Sequence, residues 1–189
     1  MKTISTVFVA AVFFLSCGQN PKTPIARADS TNEVKQDSSA GGLAVTADST
    51  SAAFLVRAAD NTLKEGDLAT LAEQKATIPT VKDFSGMLSR EHKKLSETIK
   101  DLAARKNITI PPAAGDERTI SRLSDLAGSG FDRAYINEVI DEHKNAVSQF
   151  EDAVKYAQDP DIKAFADQTL PQLQKHLDSA KSIKAKYWK

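Results

Sequence analysis

The sequence predicts an all-α protein: a four-helix bundle with a short extra helix in the crossing between the second and third long helices. Three observations carry that prediction. From residue 51 onward, apolar residues recur every three or four positions, and only Ile108 to Ile110 reads as strand. Proline and glycine breaks divide this region into four long segments, each about 25 residues or roughly 37 Å as helix. The breaks within the first pair and within the second pair are short, whereas the link between the pairs is long. Short links make antiparallel neighbours, so the segments should form two hairpins.

The first helix is expected from Ser51 to about Ala76, with Phe54, Ala58, Glu65, Leu68 and Ala72 on its inner stripe. Gly66 inside it costs roughly 1 kcal/mol of helix propensity relative to alanine. Ile78-Pro79-Thr80 makes the first break, and Pro79 suits a first turn because its missing N–H would have no partner there. The second helix should reach about Lys106, with Val81, Phe84, Leu88, His92, Leu95, Ile99 and Leu102 inward. Asn107 to Gly115 (NITIPPAAG) reads as an extended crossing. A short helix follows from Asp116 or Glu117 through Leu126, and Gly128-Ser129-Gly130 is its expected stop. The third long helix should run from near Phe131 to Ala157, turning Ile136, Val139, Ile140, His143, Val147, Phe150 and Val154 inward. After Asp159-Pro160 the fourth covers Asp161 to about Tyr187, with Ile162, Phe165, Ala166, Leu170, Leu173, His176, Leu177, Ala180 and Ile183 inward. Pro171 lies inside that span and predicts a kink.

The chain ahead of the bundle has two expected parts. Residues 1–17 read as a lipoprotein-type export signal: Lys2, then an uncharged apolar run from Val7 to Leu15, then Cys17. The run is too short to span a bilayer, which takes about 20 apolar residues. Phe14-Leu15-Ser16-Cys17 is similar to the lipobox of bacterial lipoproteins, although that motif more often has Leu where Phe14 stands. Lipidation also explains a lone cysteine in an exported protein. Gly18 follows where an Asp would signal retention at the inner membrane, so the expected destination is the outer membrane, facing the periplasm or the surface. Otherwise the protein is expected in the periplasm. Residues 18–50 are rich in Ser, Thr, Ala, Asp and Gly with few large apolar side chains, and read as a disordered tether between anchor and bundle.

The chain has 25 Lys+Arg against 25 Asp+Glu. The balance persists in 51–189, which excludes an electrostatic case for nucleic acid. The membrane partner would be reached through the lipid anchor at Cys17. The protein partner is left open, with the basic C-terminus (Lys181, Lys184, Lys186, Lys189) as a candidate surface or simply a helix end suited to the dipole.

One polar residue per long helix sits on the apolar stripe. These are Glu65, His92, His143 and His176, and each lies near the middle of its helix. In antiparallel helices of similar length the middles share a level, so the four groups should form one layer. Three imidazoles and a carboxylate suit one transition metal ion such as Zn, Cu, Fe or Ni. Asp67, Glu91, Glu142 and Glu151 are the carboxylates placed to orient those ligands. A hydrogen-bonded polar layer that only fixes the register of the bundle is the alternative. No serine or cysteine nucleophile stands near the histidines in a recognisable motif, so an enzyme is the less expected reading. A metal-dependent one would need an open coordination position.

From 51 to 189 the chain resembles the bacterial family catalogued as domain of unknown function 4142. FLVRAADNTLKEGDLATLAEQKA (54–76), VKDFSGMLSREHKKL (81–95), GFDRAYINEVIDEHKNAVSQFE (130–151) and TLPQLQKHLDSAK (169–181) carry the resemblance. Phe-Asp-x-x-Tyr and Leu-Pro-x-Leu-x-x-x-His are its most specific elements. Glu91-His92 stands where the family usually has Asp-His. The resemblance implies exported proteins with a ferritin-like bundle, and polar positions filled here by Glu65, His92, His143 and His176. It does not bring di-iron chemistry. Di-iron bundles use Glu-x-x-His twice, and the residues three before the histidines are Ser89, Ile140 and Leu173. A mononuclear site is what these residues support.

Overall fold

The helical periodicity resolves into six helices among the residues that the computed structural model describes, 24–37, 47–112 and 117–188. They are α1 Pro24–Asp37, α2 Ser49–Lys75, α3 Pro79–Arg105, α4 Glu117–Ser124, α5 Gly128–Tyr156 and α6 Pro160–Tyr187. No strand occurs among the described residues. The expected signal segment and Cys17 lie outside them. No helix among them is long and apolar enough to cross a membrane.

The two expected hairpins form. α2 pairs with α3 and α5 with α6, and the hairpins meet through α2–α5 and, more sparsely, α3–α6. The helix starts follow from local chemistry. Asp48 caps α2 by accepting from the Ser51 N–H at 3.0 Å, which begins the helix two residues before the expected start. Pro79 opens α3 and Pro160 opens α6, where Asp159 accepts from the Asp161 and Ile162 N–H groups at 3.0 Å each. Gly128-Ser129-Gly130 was expected to stop a helix and instead starts one. Gly128 takes φ +57, which turns the chain out of α4 and into the first turn of α5. α6 continues through Pro171.

The expected disordered tether does not hold over residues 24–37, which form α1. Its sequence has no wide apolar stripe. It docks through Ile25, Ala28 and Asn32, which recur about one turn apart on one face. Ala28 is buried in the core around α2 and Asn32 is buried beside it. The Asn32 side chain donates to the Thr109 carbonyl at 3.2 Å and accepts from the Thr109 N–H at 2.8 Å. Those two bonds satisfy the Thr109 backbone within the extended crossing, which has no strand partner.

The core consists of two apolar clusters. One holds Phe54, Ile99, Phe150, Ile162 and Phe165, with Phe54 edge-on to Phe150 at 5.0 Å between centroids. The other holds Leu68, Val81, Leu88, Phe131, Tyr135, Ile136 and Ile183. Glu65, His92, His143 and His176 are buried and belong to neither. The ends of the bundle are tied by acids, of which Asp132 and Asp159 are buried. Asp132 of α5 is fully buried and accepts from the Thr77 and Ile78 N–H groups at 3.0 Å each and from the Thr77 hydroxyl at 2.6 Å. It thereby holds the α2–α3 turn. At the other end Lys106 pairs with Asp159 at 2.8 Å and Asp161 at 2.6 Å, joining the end of α3 to the start of α6.

Candidate metal centre

Each of the four long helices delivers one polar side chain to a single layer, as the sequence predicts. Glu65 comes from α2, His92 from α3, His143 from α5 and His176 from α6. The ring centroids lie 5.5 Å apart for His92–His143, 5.8 Å for His92–His176 and 5.3 Å for His143–His176. One nitrogen from each ring can be chosen so that all three lie within 4.8 Å of one another. Glu65 Oε2 lies 3.1 Å from His92 Nε2 and 3.6 Å from His143 Nδ1. Gly66 faces His92, but a methyl there would sit 3.7 Å from His92 Cβ. That is an ordinary contact, so close packing does not demand the glycine.

The carboxylates expected around this layer separate. Glu91 reaches it, with Oε2 2.6 Å from His176 Nε2 and 2.6 Å from the Gln172 side-chain nitrogen. Glu142 lies close enough to Glu65 to repel its charge. Asp67 and Glu151 do not orient a histidine. Both are exposed and neither pairs with the layer. Glu151 lies eight residues past His143, about 12 Å further along α5, and Asp67 turns toward the solvent-facing cleft between α2 and α3.

Two residues that sequence reasoning did not assign to the layer belong to it. Gln172, one turn before His176, holds Glu91 in place. Tyr135, two turns before His143 on the same face, is fully buried with an unpartnered hydroxyl. Burial and the neighbouring Glu65 push its pKa well above the ordinary value. The signal for it was the spacing Tyr135–Val139–His143, which aligns all three on one stripe.

Burial controls the charges here. It pushes the Glu65 carboxyl up to about 8, with repulsion from Glu142 adding to the effect. It lowers His92 to about 3, helped by the neighbouring His143 and His176. It lowers His143 to about 4, with His176 adding and the Val139 carbonyl opposing. Burial lowers His176 as well, against the pull of Glu91. For Glu91 burial acts upward, but hydrogen bonds from Gln172 and His176 outweigh it and hold the carboxyl below its ordinary value. Near neutral pH the layer therefore contains three neutral imidazoles and a protonated Glu65, flanked by an ionised Glu91.

The partners then assign the ring protons. His143 Nδ1 lies 3.0 Å from the Val139 carbonyl, which can only accept. Nδ1 carries the proton and Nε2 is bare. His176 Nε2 lies 2.6 Å from the Glu91 carboxylate, which also only accepts. Nε2 carries the proton and Nδ1 is bare. These two bare nitrogens face each other at 3.2 Å, and no hydrogen bond can join two acceptors. Neither nitrogen of His92 and neither oxygen of Glu65 has a well-aligned hydrogen-bond partner, although all four are buried. Buried polar atoms are nearly always partnered, and a shared cation would partner these. The fit is good. Two nitrogens on one tetrahedral ion, each at 2.0–2.1 Å, stand about 3.3 Å apart.

A family model described as a domain of unknown function, DUF4142, matches residues 35–183. The chain belongs to the DUF4142 family. Its similarity extends in structure to a DUF305 fragment from Deinococcus radiodurans, at 15% identity and TM-score 0.66, covering 74% of this chain and 98% of that one. CopM in its Cu(I)-bound form is similar at 18% identity and TM-score 0.65, covering 74% and 98%. CopM in its apo form has TM-score 0.63 at 18% identity, with the same coverage. At these identities the similarity establishes the helical fold that this DUF4142 protein shares with them. No curated protein matches its sequence.

Proposed function

We propose that this protein is an exported metal-binding protein of the cell envelope whose bundle holds one transition metal ion. His92, His143 Nε2 and His176 Nδ1 are the nitrogen ligands, and Glu65 closes the site. The observation that carries this reading is the pair of bare nitrogens held face to face by Val139 and Glu91. Each outer partner fixes a ring so that its lone pair points at the same place, which is how ligating histidines are oriented.

Among Zn, Cu, Fe and Ni, copper in its cuprous state suits the layer best. Three imidazoles bring no charge of their own, and a monovalent ion puts the least charge into an apolar core. The solved CopM structures with Cu(I), Cu(II) and Ag support copper as the first ion to try. The Leu15-Ser16-Cys17 sequence supports export with lipid anchoring at Cys17 in the envelope. The role is holding or buffering the ion, and no catalytic step is assigned.

The test is metal content. The purified protein is equilibrated separately with Cu(I), Ag(I), Zn(II), Fe(II) and Ni(II), desalted, and measured by elemental analysis. One ion per chain is expected with Cu(I) or Ag(I), and none in His143→Ala. No retained ion under any condition would return the histidines to a polar layer that only sets the register of the helices.

A further inference from the structure

The His176 ring stands between two spaces. Its Nδ1 faces His143 inside the layer, 3.2 Å away, and its Nε2 faces Glu91, 2.6 Å away. The Glu91 side chain is 38% exposed. It borders an open groove of about 510 Å³ between α3 and α6, lined also by Met87, Gln172 and His176 itself. Met87 stands one helical turn before Glu91 on α3, so both present to the same groove. The chain has two methionines. Met1 lies at the N-terminus, and Met87 is the one in the bundle, half-buried at this mouth. A thioether is a soft, weakly hydrated donor that prefers Cu(I) and Ag(I) to hard cations.

We propose that the α3–α6 groove is the port through which a soft metal ion reaches the central imidazoles, with Met87 and Glu91 as its first ligands. This rests on the metal-binding reading of the layer. When Glu91 takes the ion it releases the His176 Nε2–H. The ring is then free to turn and let the ion pass to the Nδ1 side. Re-forming the Glu91 bond, steadied by Gln172, locks the ring with Nδ1 bare toward the ion. No covalent bond is made or broken in this path, and no redox change is needed.

A second opening, the cleft of about 290 Å³ between α2 and α3, ends at His92. It is lined by hydroxyl and charged side chains such as Thr70, Ser89 and Lys93, with no sulfur donor. The His92 nitrogens are themselves buried, and Nε2 lies toward Glu65 rather than toward this cleft. The first route offers a soft ion a sulfur donor at its mouth, whereas the second offers only hard oxygen donors such as Asp67 and Glu97 ahead of His92.

The experiment is stopped-flow uptake of Ag(I), a redox-inert probe, by the wild-type protein and two variants. Met87→Leu removes the sulfur at nearly constant volume, and Thr70→Leu narrows the α2–α3 cleft. The expected result is uptake slowed about tenfold in Met87→Leu, with one ion per chain still bound at the end, and an unchanged rate in Thr70→Leu. Met87→Leu loading as fast as wild type overturns the port while leaving the central site intact. Slowing by Thr70→Leu alone moves the port to the other cleft and overturns it equally. A wild-type protein that takes up no Ag(I) and no other ion overturns the site and its port together.

Discussion

Glu65 and the three histidines oppose each other in their response to pH. The histidine pKa values are held below the 6.5 of the unfolded chain, at about 3 for His92 and about 4 for His143. Below pH 6.5 the unfolded state takes up protons that the folded state refuses, so stability falls as the pH drops toward those values. Glu65 is raised from 4.5 to about 8. Its contribution is complete below pH 4.5 and is lost as the pH rises through 8. Between 4.5 and 6.5 the histidines outnumber it, and above 6.5 it acts alone. Urea titrations of the ion-free protein should therefore give the highest stability near pH 6.5, with lower values at pH 5 and at pH 8. A flat profile across that range would show that the four side chains are solvated after all. Tyr135 gives a second test at this scale. Its hydroxyl is buried without a partner, so Tyr135→Phe should leave the urea midpoint of the ion-free protein unchanged or raise stability by up to about 1 kcal/mol. The positions of the three histidines were legible in the sequence because each interrupts an apolar stripe. Their tautomers were not, since these depend on the rotamers that bring Val139 and Glu91 to opposite rings.

Elements in this fold are tied to one another by single buried acids and amides. Asp132 belongs to α5, yet its oxygens take up the N–H groups of Thr77 and Ile78 in the turn between α2 and α3. Replacing it with Ala leaves those donors buried and unpartnered, at about 3 kcal/mol for the set. Asp132→Asn keeps one accepting oxygen and should recover part of that loss, and denaturant unfolding of the pair measures both. If Asp132→Ala costs less than about 0.5 kcal/mol, water reaches that turn. The Phe-Asp-x-x-Tyr element is explained by the same geometry. Asp132 holds the turn, Phe131 stacks on Tyr135 at 6.2 Å, and Tyr135 extends the stripe toward the histidine layer. α1 was the element that periodicity could not find. Its contacts are Ile25, Ala28 and the Asn32–Thr109 pair, a stripe with one large apolar side chain. A composition that looks like a tether can still dock where a neighbouring segment needs backbone partners. Asn32→Ala should accordingly speed hydrogen exchange in α1 and at Thr109 while α5 and α6 keep their protection.

At the scale of the whole molecule the polar layer divides the core. The Phe54–Phe150–Phe165 cluster lies on one side and the Phe131–Tyr135–Leu177 cluster on the other. A fold selected only for stability gains nothing from that division, because well-packed apolar residues in place of buried polar groups are commonly neutral or stabilising by about 1–4 kcal/mol. The two readings of the layer therefore part in one variant, with Glu65→Met, His92→Leu, His143→Leu and His176→Leu combined. If the layer exists to hold an ion, the variant joins the two clusters and unfolds at higher urea than the ion-free wild type. Its helical circular dichroism stays unchanged, and it no longer responds to added Ag(I). The wild type, by contrast, gains about 2.7 kcal/mol once free ion reaches a hundred times the dissociation constant. If the layer exists to set the register of four similar helices, the variant keeps its helicity but loses a single packed arrangement, seen as broad, poorly dispersed side-chain resonances. In that case the wild type gains nothing from the ion. The face-to-face nitrogens favour the first outcome, because a layer that only sets register gains nothing from two bare acceptors aimed at each other.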